Sequence, residues 1–313
     1  MLKLIRGIID VPEDCKGAAA TMGNFDGVHL GHQQLIKALL HKAQQLQVPS
    51  LIITFEPQPN EFFSKGIIPP RLMRLREKLM MFADMGVDYV LCLRFDQQLA
   101  QMPAREFIKQ FFVDKLQLSH ITIGDDFHFG AKRTGDINLL KKLALEYGFS
   151  AENIDTFRYS DQRVSSSSVR MALETGDLAR AELLLGRKFG IAGRVAHGHK
   201  RGRIIGFPTA NLFLHRKAVP LQGVFAVKTY GLEVEPILGV ANIGNRPTVD
   251  GSRSILEVHL FDFDQDIYGR HIYVEFLHKL RDEQRFDSFE LLRQQILQDA
   301  EQAKKWFSLE SEN

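Results

Sequence analysis

Residues 23–32 read Gly-Asn-Phe-Asp-Gly-Val-His-Leu-Gly-His, and this stretch decides the fold of the first half of the chain. It directly follows an apolar run that ends at Gly23, and it opens a helical stripe that continues to Ala43. We therefore expect a strand, a glycine-rich turn and a helix in succession. His29 and His32 are three residues apart, so both imidazole rings can face one ligand on a first helical turn. A helix N-terminus beyond a parallel strand favours phosphate, so the stretch predicts a phosphate-handling site.

Short apolar runs alternate with longer helical periodicities from Ala18 to about Phe157. This pattern is typical of parallel strands joined by crossover helices, so it predicts an α/β domain with a Rossmann-like parallel sheet. The predicted strands cover residues 18–23, 50–55, 89–95, 120–124 and 153–157. Four helices are predicted. The first follows Gly31, the second carries the stripe Leu72, Leu75, Leu79 and Phe82, and the third begins near Pro103 and carries Phe107, Ile108, Phe111 and Phe112. The fourth covers residues 136–147.

The second half has a different pattern, because strands follow one another there without intervening helices. Predicted strands over 224–229, 237–243, 256–261 and 272–276 indicate an antiparallel β-barrel. A terminal helix over 289–306 presents Leu292, Ile296 and Ala300, and we expect it to cover an open end of the barrel. Residues 165–185 are predicted to form two short helices split at Gly176. The fold class is thus α/β plus all-β, with domains 1–185 and 186–313.

Composition excludes several classes of protein. The 313 residues include 40 basic and 38 acidic side chains, a formal charge of +2 with no long single-sign run, so no nucleic-acid partner is expected. No stretch approaches the roughly 20 apolar residues of a membrane helix, and no signal-peptide core is present. Cys15 and Cys92 form no CxxC pair, which argues against a disulfide framework or a zinc site. We expect a cytoplasmic protein with no membrane segment; its oligomeric state stays open.

The run of residues 23–32 resembles the HxGH signature of nucleotidyltransferases. In its longer form it is similar to the adenylyltransferase module of the bacterial bifunctional riboflavin kinase/FAD synthetase family. The resemblance implies that His29 and His32 are catalytic, as donors to an α-phosphate. It also implies nucleotide binding by Gly23, Asn24, Phe25, Asp26 and Gly27. The alternative is a histidine pair that only caps or packs the helix.

Three further stretches in the first half resemble elements of the same family. Residues 124–130 are similar to an element near adenine and flavin, residues 165–170 to a serine-rich phosphate-binding turn, and residues 54–59 with the following phenylalanines to a flavin-facing loop. Ser167 stands where the family usually has threonine, which keeps the hydroxyl. Plain loops and a simple serine cap are the alternatives. The resemblance implies nucleotide binding by Asp126, Arg163, Ser166, Ser167 and Arg170, and flavin binding by Phe62 and Phe127; the detailed role of the Phe62/Phe63 loop stays open.

Residues 193–203 are rich in glycine and basic side chains, and they lead into Gly-Phe-Pro-Thr-Ala-Asn at 206–211. A basic, glycine-containing loop can fold over nucleotide phosphates. Together the two stretches resemble the riboflavin kinase signature. The resemblance implies that the oxygens of Thr209 and Asn211 hold Mg²⁺, an ion that prefers hard oxygen ligands. It implies nucleotide binding by Gly193, His199, Gly202, Arg203 and Pro208.

Residues 256–264 complete that signature. Along a strand, Glu257 and His259 face one side, so a carboxylate is available on one face. The resemblance makes Glu257 the general base for a ribityl hydroxyl, with Arg281 and Arg285 in a flavin-adjacent turn. A solvent-facing glutamate and a solvated charged loop are the alternatives. Arg246 lies in a turn typical of the family, and its role stays open.

The resemblance covers essentially the whole chain and implies a bifunctional enzyme that converts riboflavin to FMN and then to FAD. Its implied partners are riboflavin, FMN, FAD and ATP/ADP, with ATP as co-substrate and Mg²⁺ as cofactor. One alternative keeps the nucleotidyltransferase but gives it another phosphorylated acceptor, such as pantetheine phosphate, with a regulatory flavin-binding second domain. Another is a flavin-binding or nucleic-acid-binding regulator whose catalytic sites have decayed.

Overall fold

The computed structural model describes residues 1–64, 66, 68–196, 207–214, 216, 218–248 and 251–311, with only the backbone described at 245–248, 251–253 and 311. The chain divides into two compact units. The first contains Met1–Pro69 and Met73–Ser166, and the second contains Pro70–Leu72 and Ser167–Asn313.

The first unit is built on a six-stranded parallel sheet of order β1-β4-β3-β2-β5-β6. Alternate residues of β3 face two separate cores: Leu51 and Ile53 pack on one side of the sheet, and Ile52 packs on the other. The central strands are therefore buried on both faces, as parallel strands usually are. The strands are β1 (Lys3–Arg6), β2 (Ala19–Met22), β3 (Ser50–Glu56), β4 (Tyr89–Arg94), β5 (His120–Gly124) and β6 (Ser150–Ile154).

Helices connect these strands, and several begin at aspartate caps. Asp96 and Asp136 each accept a hydrogen bond from the backbone N–H three residues later, which satisfies a helix-terminal donor. The helices are α1 (Leu30–Leu46), α2 (Pro59–Phe63), α3 (Leu75–Asp84), α4 (Gln97–Gln101), α5 (Ala104–Phe107) and α6 (Ile137–Tyr147). A π-helical segment (Ile108–Lys115) follows α5, short 3₁₀ turns cover Glu13–Cys15 and Ala131–Arg133, and β7 (Arg158–Tyr159) and β8 (Gln162–Arg163) form a hairpin.

The second unit is a closed antiparallel barrel of order β10-β13-β12-β11-β14-β9. Two helices, α7 (Ser166–Glu174) and α8 (Leu178–Leu185), precede it, and Asp177 caps α8. The barrel strands are β9 (Gly190–Ala196), β10 (Ala210–Phe213), β11 (Gly223–Tyr230), β12 (Ile237–Thr248), β13 (Gly251–Leu260) and β14 (His271–Arg281).

A long terminal helix, α9 (Phe289–Ser311), packs on the barrel. Its buried Ala300 and Ala303 contact Val224, Ala226 and Val240 on the neighbouring strands β11 and β12. The helix therefore lies against the wall of the barrel, and the expectation that it covers an open end is wrong. Small residues at positions 300 and 303 allow this close approach of helix and sheet.

The predicted fold class is confirmed, and the differences are local. The edge strand β1 was not predicted, and β6 begins three residues before its predicted start. The first residues of the predicted glycine-rich loop, 193–196, belong to β9. Gly193 is required there because a Cβ would lie 2.9 Å from Cδ2 of Leu212 on β10.

Candidate functional site

The loop between β2 and α1 has an unusual backbone. Three of its residues have positive φ: Phe25 at 50°, Gly27 at 83° and Val28 at 40°. Non-glycine residues rarely adopt this conformation, and such strain is typically held at functional sites by surrounding contacts. Successive backbone N–H groups in a turn of this kind form a concavity that suits an anion.

His29 and His32 lie at the start of α1 with their rings stacked, the centroids 3.6 Å apart and the planes 20° from parallel. His29 is the N-cap residue, and its Nδ1 accepts a long hydrogen bond of 3.4 Å from the backbone N–H of His32. That bond places the proton of a neutral His29 on Nε2. Gly31 between them leaves room for the His29 ring, since a Cβ there would lie only 3.3 Å from it.

The two histidines are held in a largely desolvated environment. His29 is 6% exposed, and within the described residues Nδ1 of His32 is buried without a hydrogen-bond partner. Burial, helped by the charges of His29 and Lys78, holds the pKa of His32 well below its usual value. A neutral His32 can therefore donate from one ring nitrogen without placing two like charges in the stack.

Contacts from distant parts of the first unit hold the loop in place. The buried Asp26 carboxylate accepts a hydrogen bond of 3.0 Å from the backbone N–H of Met73. The backbone carbonyl of Asp26 accepts one of 2.8 Å from Oγ of Ser166. Nζ of Lys78, on α3, donates to the Asn24 carbonyl at 2.9 Å. The conformation of the loop thus depends on residues far away in the sequence.

A second polar cluster follows β5. Asp126 is paired with Arg163 on the β7–β8 hairpin, and both side chains are about half exposed. The neighbouring Asp125 accepts hydrogen bonds from the backbone N–H and hydroxyl of Thr156. Phe127 packs against Phe129, their ring centroids 6.3 Å apart. This loop is therefore tied to the segment that leads into α7.

Phe62 on α2 belongs to an aromatic cluster after β3. Its ring lies 5.4 Å from the rings of both Phe63 and Phe95, and Phe95 in turn contacts Phe55. Phe63 is 61% exposed, so the cluster presents an aromatic face to solvent. Such a face is suited to a flat apolar ring.

In the second unit, Asn211 on β10 lies directly opposite Glu257 on β13. Directly opposed residues in antiparallel strands place their side chains on the same face. The burial pattern of β13 alternates as predicted: Leu256 and Val258 are fully buried, whereas Glu257 is only partly buried. Thr209 lies two residues before Asn211, directly ahead of β10.

These oxygens fit a magnesium ion. The Thr209 hydroxyl and the Asn211 amide oxygen are hard donors, and Mg²⁺ usually takes only a few protein ligands besides water and phosphate. Among the described residues there is no cluster of three or more His, Cys, Asp or Glu side chains that could hold a metal. A divalent ion held by Thr209 and Asn211 would complete its coordination with water and phosphate oxygens.

His259 supports the same wall of the barrel. Its Nδ1 lies 2.9 Å from the Pro208 carbonyl, and its ring lies 4.4 Å from that of Phe207. Burial lowers the pKa of His259, against the opposing effect of the Pro208 hydrogen bond. The strand that carries Glu257 is thereby tied to the segment that carries Thr209.

Comparison with known proteins covers both units. A family model for FAD synthetase matches residues 11–168, and one for riboflavin kinase matches residues 185–307. The bifunctional riboflavin kinase/FMN adenylyltransferase of Escherichia coli (strain K12) is 49% identical, over 98% of this chain and 99% of its own length. The chain belongs to the bifunctional riboflavin kinase/FMN adenylyltransferase family. The protein of that name from Haemophilus influenzae is 47% identical, over 98% of this chain and 100% of its own length.

One solved structure has the same fold as this chain over nearly the full length of both proteins. The crystal structure of a protein named as a macrolide-efflux protein from Streptococcus pneumoniae superposes with a TM-score of 0.82 and 28% identity, over 97% of this chain and 99% of that chain. In the described part of this chain, no helix has the length and apolar character needed to cross a membrane.

The predicted FAD synthetase residues fall into three groups. The first unit brings Gly23, Asn24, Phe25, Asp26 and Gly27 together with His29, His32 and Ser166, and it pairs Asp126 with Arg163. Ser167 and Arg170 belong to the second unit, where Nε of Arg170 donates to the Pro70 carbonyl at 2.7 Å. The predicted flavin residues Phe62 and Phe127 lie in separate aromatic contacts.

The predicted riboflavin kinase residues are only partly described. Thr209, Asn211, Pro208 and Glu257 share one wall of the barrel, whereas His199, Gly202 and Arg203 lie outside the described residues, as does the side chain of Arg246. Gly193 lies within β9. Arg285 is exposed, with no contact that assigns it a role.

Arg281 has a structural contact that the sequence did not predict. Its guanidinium forms a two-point ion pair with Asp299 of α9, at 2.8 Å and 2.7 Å, and the two side chains are 16% and 4% exposed. The pair ties the end of β14 to the terminal helix. Flavin binding by Arg281 stays a prediction.

Sequence reasoning missed Lys78 and gave His259 no role. Lys78 is fully buried, although it lies within the charged segment Arg-Glu-Lys. One signal was available: it stands three residues after Leu75 and four before Phe82, on the face that the apolar stripe predicts to be buried. A lysine on such a face is the exception that indicates a specific contact.

Proposed function

We propose that this chain is a bifunctional flavin-cofactor enzyme that phosphorylates riboflavin to FMN and then transfers AMP from ATP to FMN, giving FAD and pyrophosphate. The barrel performs the kinase step, and the parallel-sheet unit performs the adenylyl step. Two different polar arrangements in the two units support the proposal: a stacked histidine pair at a helix N-terminus, and a carboxylate opposite an amide on a barrel wall.

In the kinase step, the 5′-hydroxyl oxygen of riboflavin attacks the γ-phosphorus of ATP. The bond from that phosphorus to the bridging oxygen breaks, and ADP leaves. The Glu257 carboxylate accepts the hydroxyl proton as the new bond forms, which is general-base catalysis. Thr209 and Asn211 would hold Mg²⁺, which when bound neutralises negative charge on the phosphates. His259 keeps the Pro208 backbone, and with it Thr209, beside the base.

In the adenylyl step, a phosphate oxygen of FMN attacks the α-phosphorus of ATP. The bond between the α-phosphorus and the bridging oxygen breaks, and pyrophosphate leaves. The FMN phosphate is already ionised near neutral pH, so no base is needed to activate it. The work of the site is to position the two phosphates and to stabilise charge on the α-phosphate oxygens. His29, His32 and the N–H groups at the start of α1 supply that stabilisation.

Different residues bind the substrates of the two steps. Asp126, Arg163, Ser166, Ser167 and Arg170 bind ATP for the adenylyl step, and Gly193 and Pro208 with residues 199, 202 and 203 bind it for the kinase step. The aromatic cluster at Phe62, with Phe127, receives the flavin. We retain Gly186 as the first residue of the kinase domain; it lies one residue beyond the start of the riboflavin kinase match.

Mg²⁺ dependence and a cytoplasmic location belong to the same proposal. Both cysteines are free thiols in the described structure, and burial raises the pKa of Cys15 to about 12, so this thiol stays protonated and unreactive. A reducing compartment that supplies ATP suits such a chain. The rival with another acceptor and a regulatory second domain is not favoured, because the second half matches riboflavin kinase.

A direct test supplies the purified chain with riboflavin, ATP and Mg²⁺ and separates the flavins by chromatography. FMN should form first and FAD second, and replacing riboflavin with FMN should give FAD without a lag. Omitting Mg²⁺ should stop the kinase step. Turnover of pantetheine phosphate with no flavin product would support the rival acceptor, and absence of both FMN and FAD would overturn the proposal.

A further inference from the structure

Lys78 is a charged side chain in the interior of the first unit, next to the histidine loop. It lies in the first turn of α3, it is fully buried, and its Nζ donates to the Asn24 carbonyl at 2.9 Å. Lysine is almost never fully buried unless its charge is used in a specific interaction. The position is therefore not explained by packing of the apolar face of α3.

The contact acts on the first peptide of the strained loop. In a trans peptide the carbonyl and the following N–H point in opposite directions. Drawing the Asn24 carbonyl toward Lys78 therefore turns the N–H of Phe25 away from it. Phe25 is the first of the three residues with positive φ, so the hydrogen bond fixes the peptide at which the turn begins.

The same ammonium acts on the histidine pair. His29, in the same loop, and Lys78, from α3, are the charged or titratable groups that act on His32, and both disfavour its protonated form. Protonation would place positive charge in a ring stack with 3.6 Å between centroids, beside a buried ammonium. Lys78 thus acts on both parts of the site, the backbone turn and the imidazoles.

We propose that Lys78 is a positioning residue for adenylyl transfer, which fixes the Asn24 peptide and with it the stacked arrangement of His29 and His32. The inference rests on the proposed function of that pair. Lys78 acts through the loop and the imidazoles and makes no contact with substrate in this proposal.

The test compares Lys78→Met with Lys37→Met in the full chain. Methionine has nearly the volume of lysine without the charge, and Lys37 is an exposed lysine on α1, so the control removes one charge from the same unit. Lys78→Met should lower kcat for FAD formation from FMN about 100-fold, since small misplacements at a reacting centre have effects of that size. The acid limb of its pH profile should move to higher pH. Lys37→Met should match the wild type in both respects.

Riboflavin phosphorylation in the same samples serves as an internal control and should be unchanged. A Lys78→Met rate within about twofold of the wild-type rate overturns the inference, because that loss is far smaller than the loss expected of a positioning residue. A lowered rate with an unmoved acid limb also overturns it, because loss of structural support alone predicts that result. If the wild type forms no FAD, the proposed function fails instead.

A measurement on the wild-type chain covers the case in which Lys78→Met does not fold. Isotope-detected NMR of the histidine rings, with His32 assigned by comparison with His32→Asn, should show His32 uncharged at pH values where an ordinary histidine is protonated. Titration of His32 near the usual value of 6.5 would overturn the inference.

Discussion

The two candidate phosphate sites of this chain are built in opposite ways. In the first unit, the histidines stand on a strained loop whose conformation depends on Met73, Lys78 and Ser166. In the second unit, Asn211 and Glu257 stand on regular strands, and their register alone places them side by side. The loop site needs support from distant elements, whereas the barrel site is positioned by the sheet itself.

This difference predicts how each site responds to change. Substitution of a barrel residue should remove one chemical group and leave its neighbours in place. Substitution around the loop should also disturb groups that it does not touch, because the supporting contacts share one backbone turn.

Glu257→Gln should have the largest effect. Loss of the general base should slow FMN formation by roughly 10³-fold, within the range for such groups, and leave conversion of FMN to FAD unchanged. Steady-state assays started from riboflavin or from FMN separate the two steps. Glu233→Gln, at an exposed position, should leave both unchanged. Loss of both steps in folded Glu257→Gln would contradict independent sites.

Replacing His29 or His32 by alanine should slow FAD formation roughly 10²- to 10³-fold, the usual result of removing a donor to transition-state charge. Phosphorylation of riboflavin should continue at the wild-type rate. His41→Ala, at an exposed position on α1, is the matched control. An unchanged FAD rate in either variant would show that the stacked pair has no part in the reaction.

Asp299→Asn should weaken the barrel unit without a direct effect on the chemistry of either site. Removing one partner of a buried ion pair leaves the other charge without compensation, and we expect a loss of roughly 2 kcal/mol, since Arg281 is partly exposed. Amide hydrogen exchange read by mass spectrometry should show faster opening of β14 and α9. Asp282→Asn, in an exposed ion pair, should change the opening free energy by less than about 0.5 kcal/mol.

The smallest expected effect is the dependence of stability on pH. Burial lowers the pKa of His32 and His120 from the usual 6.5, and Glu152 only partly offsets this at His120. Just below pH 6.5 these histidines bind more protons in the unfolded chain than in the folded one, so protonation there favours unfolding. The contribution of the two histidines to stability is therefore complete above pH 6.5 and is lost as the pH falls through their folded-state pKa. Urea unfolding at about pH 7.5 and about pH 5.5 measures it. His120→Asn should show a smaller loss, and an equal loss would contradict the assignment.

The sequence predicted the fold class and the position of the histidine loop, because both depend on local patterns. A strand, a glycine-rich turn and a helix stripe are contiguous around residues 23–32, so the site could be placed before the structure was known. The alternation at Glu257 was equally local, and the burial of β13 confirms it.

The remaining features depend on contacts between residues far apart in the chain. The burial of Lys78 results from packing against a loop 54 residues earlier, and the Arg281 ion pair joins a strand to a helix 18 residues later. The stripe Leu75, Lys78 and Phe82 indicates that Lys78 is buried, but the sequence does not identify the partner of either residue. Strand β9 was missed because Gly193 is typical of loops, and only the nearby Leu212 side chain explains a glycine in a strand.

Trp306 is the only tryptophan of the chain, and it lies on α9 with its ring stacked on His278 of β14, the centroids 5.4 Å apart and the planes 6° from parallel. The protein therefore carries its single indole fluorophore in one module and none in the other. Indole emission will report the barrel and its docked helix alone. Because flavins absorb light where indole emits, riboflavin bound in the barrel should quench that emission, which gives an optical titration of the kinase site without any label.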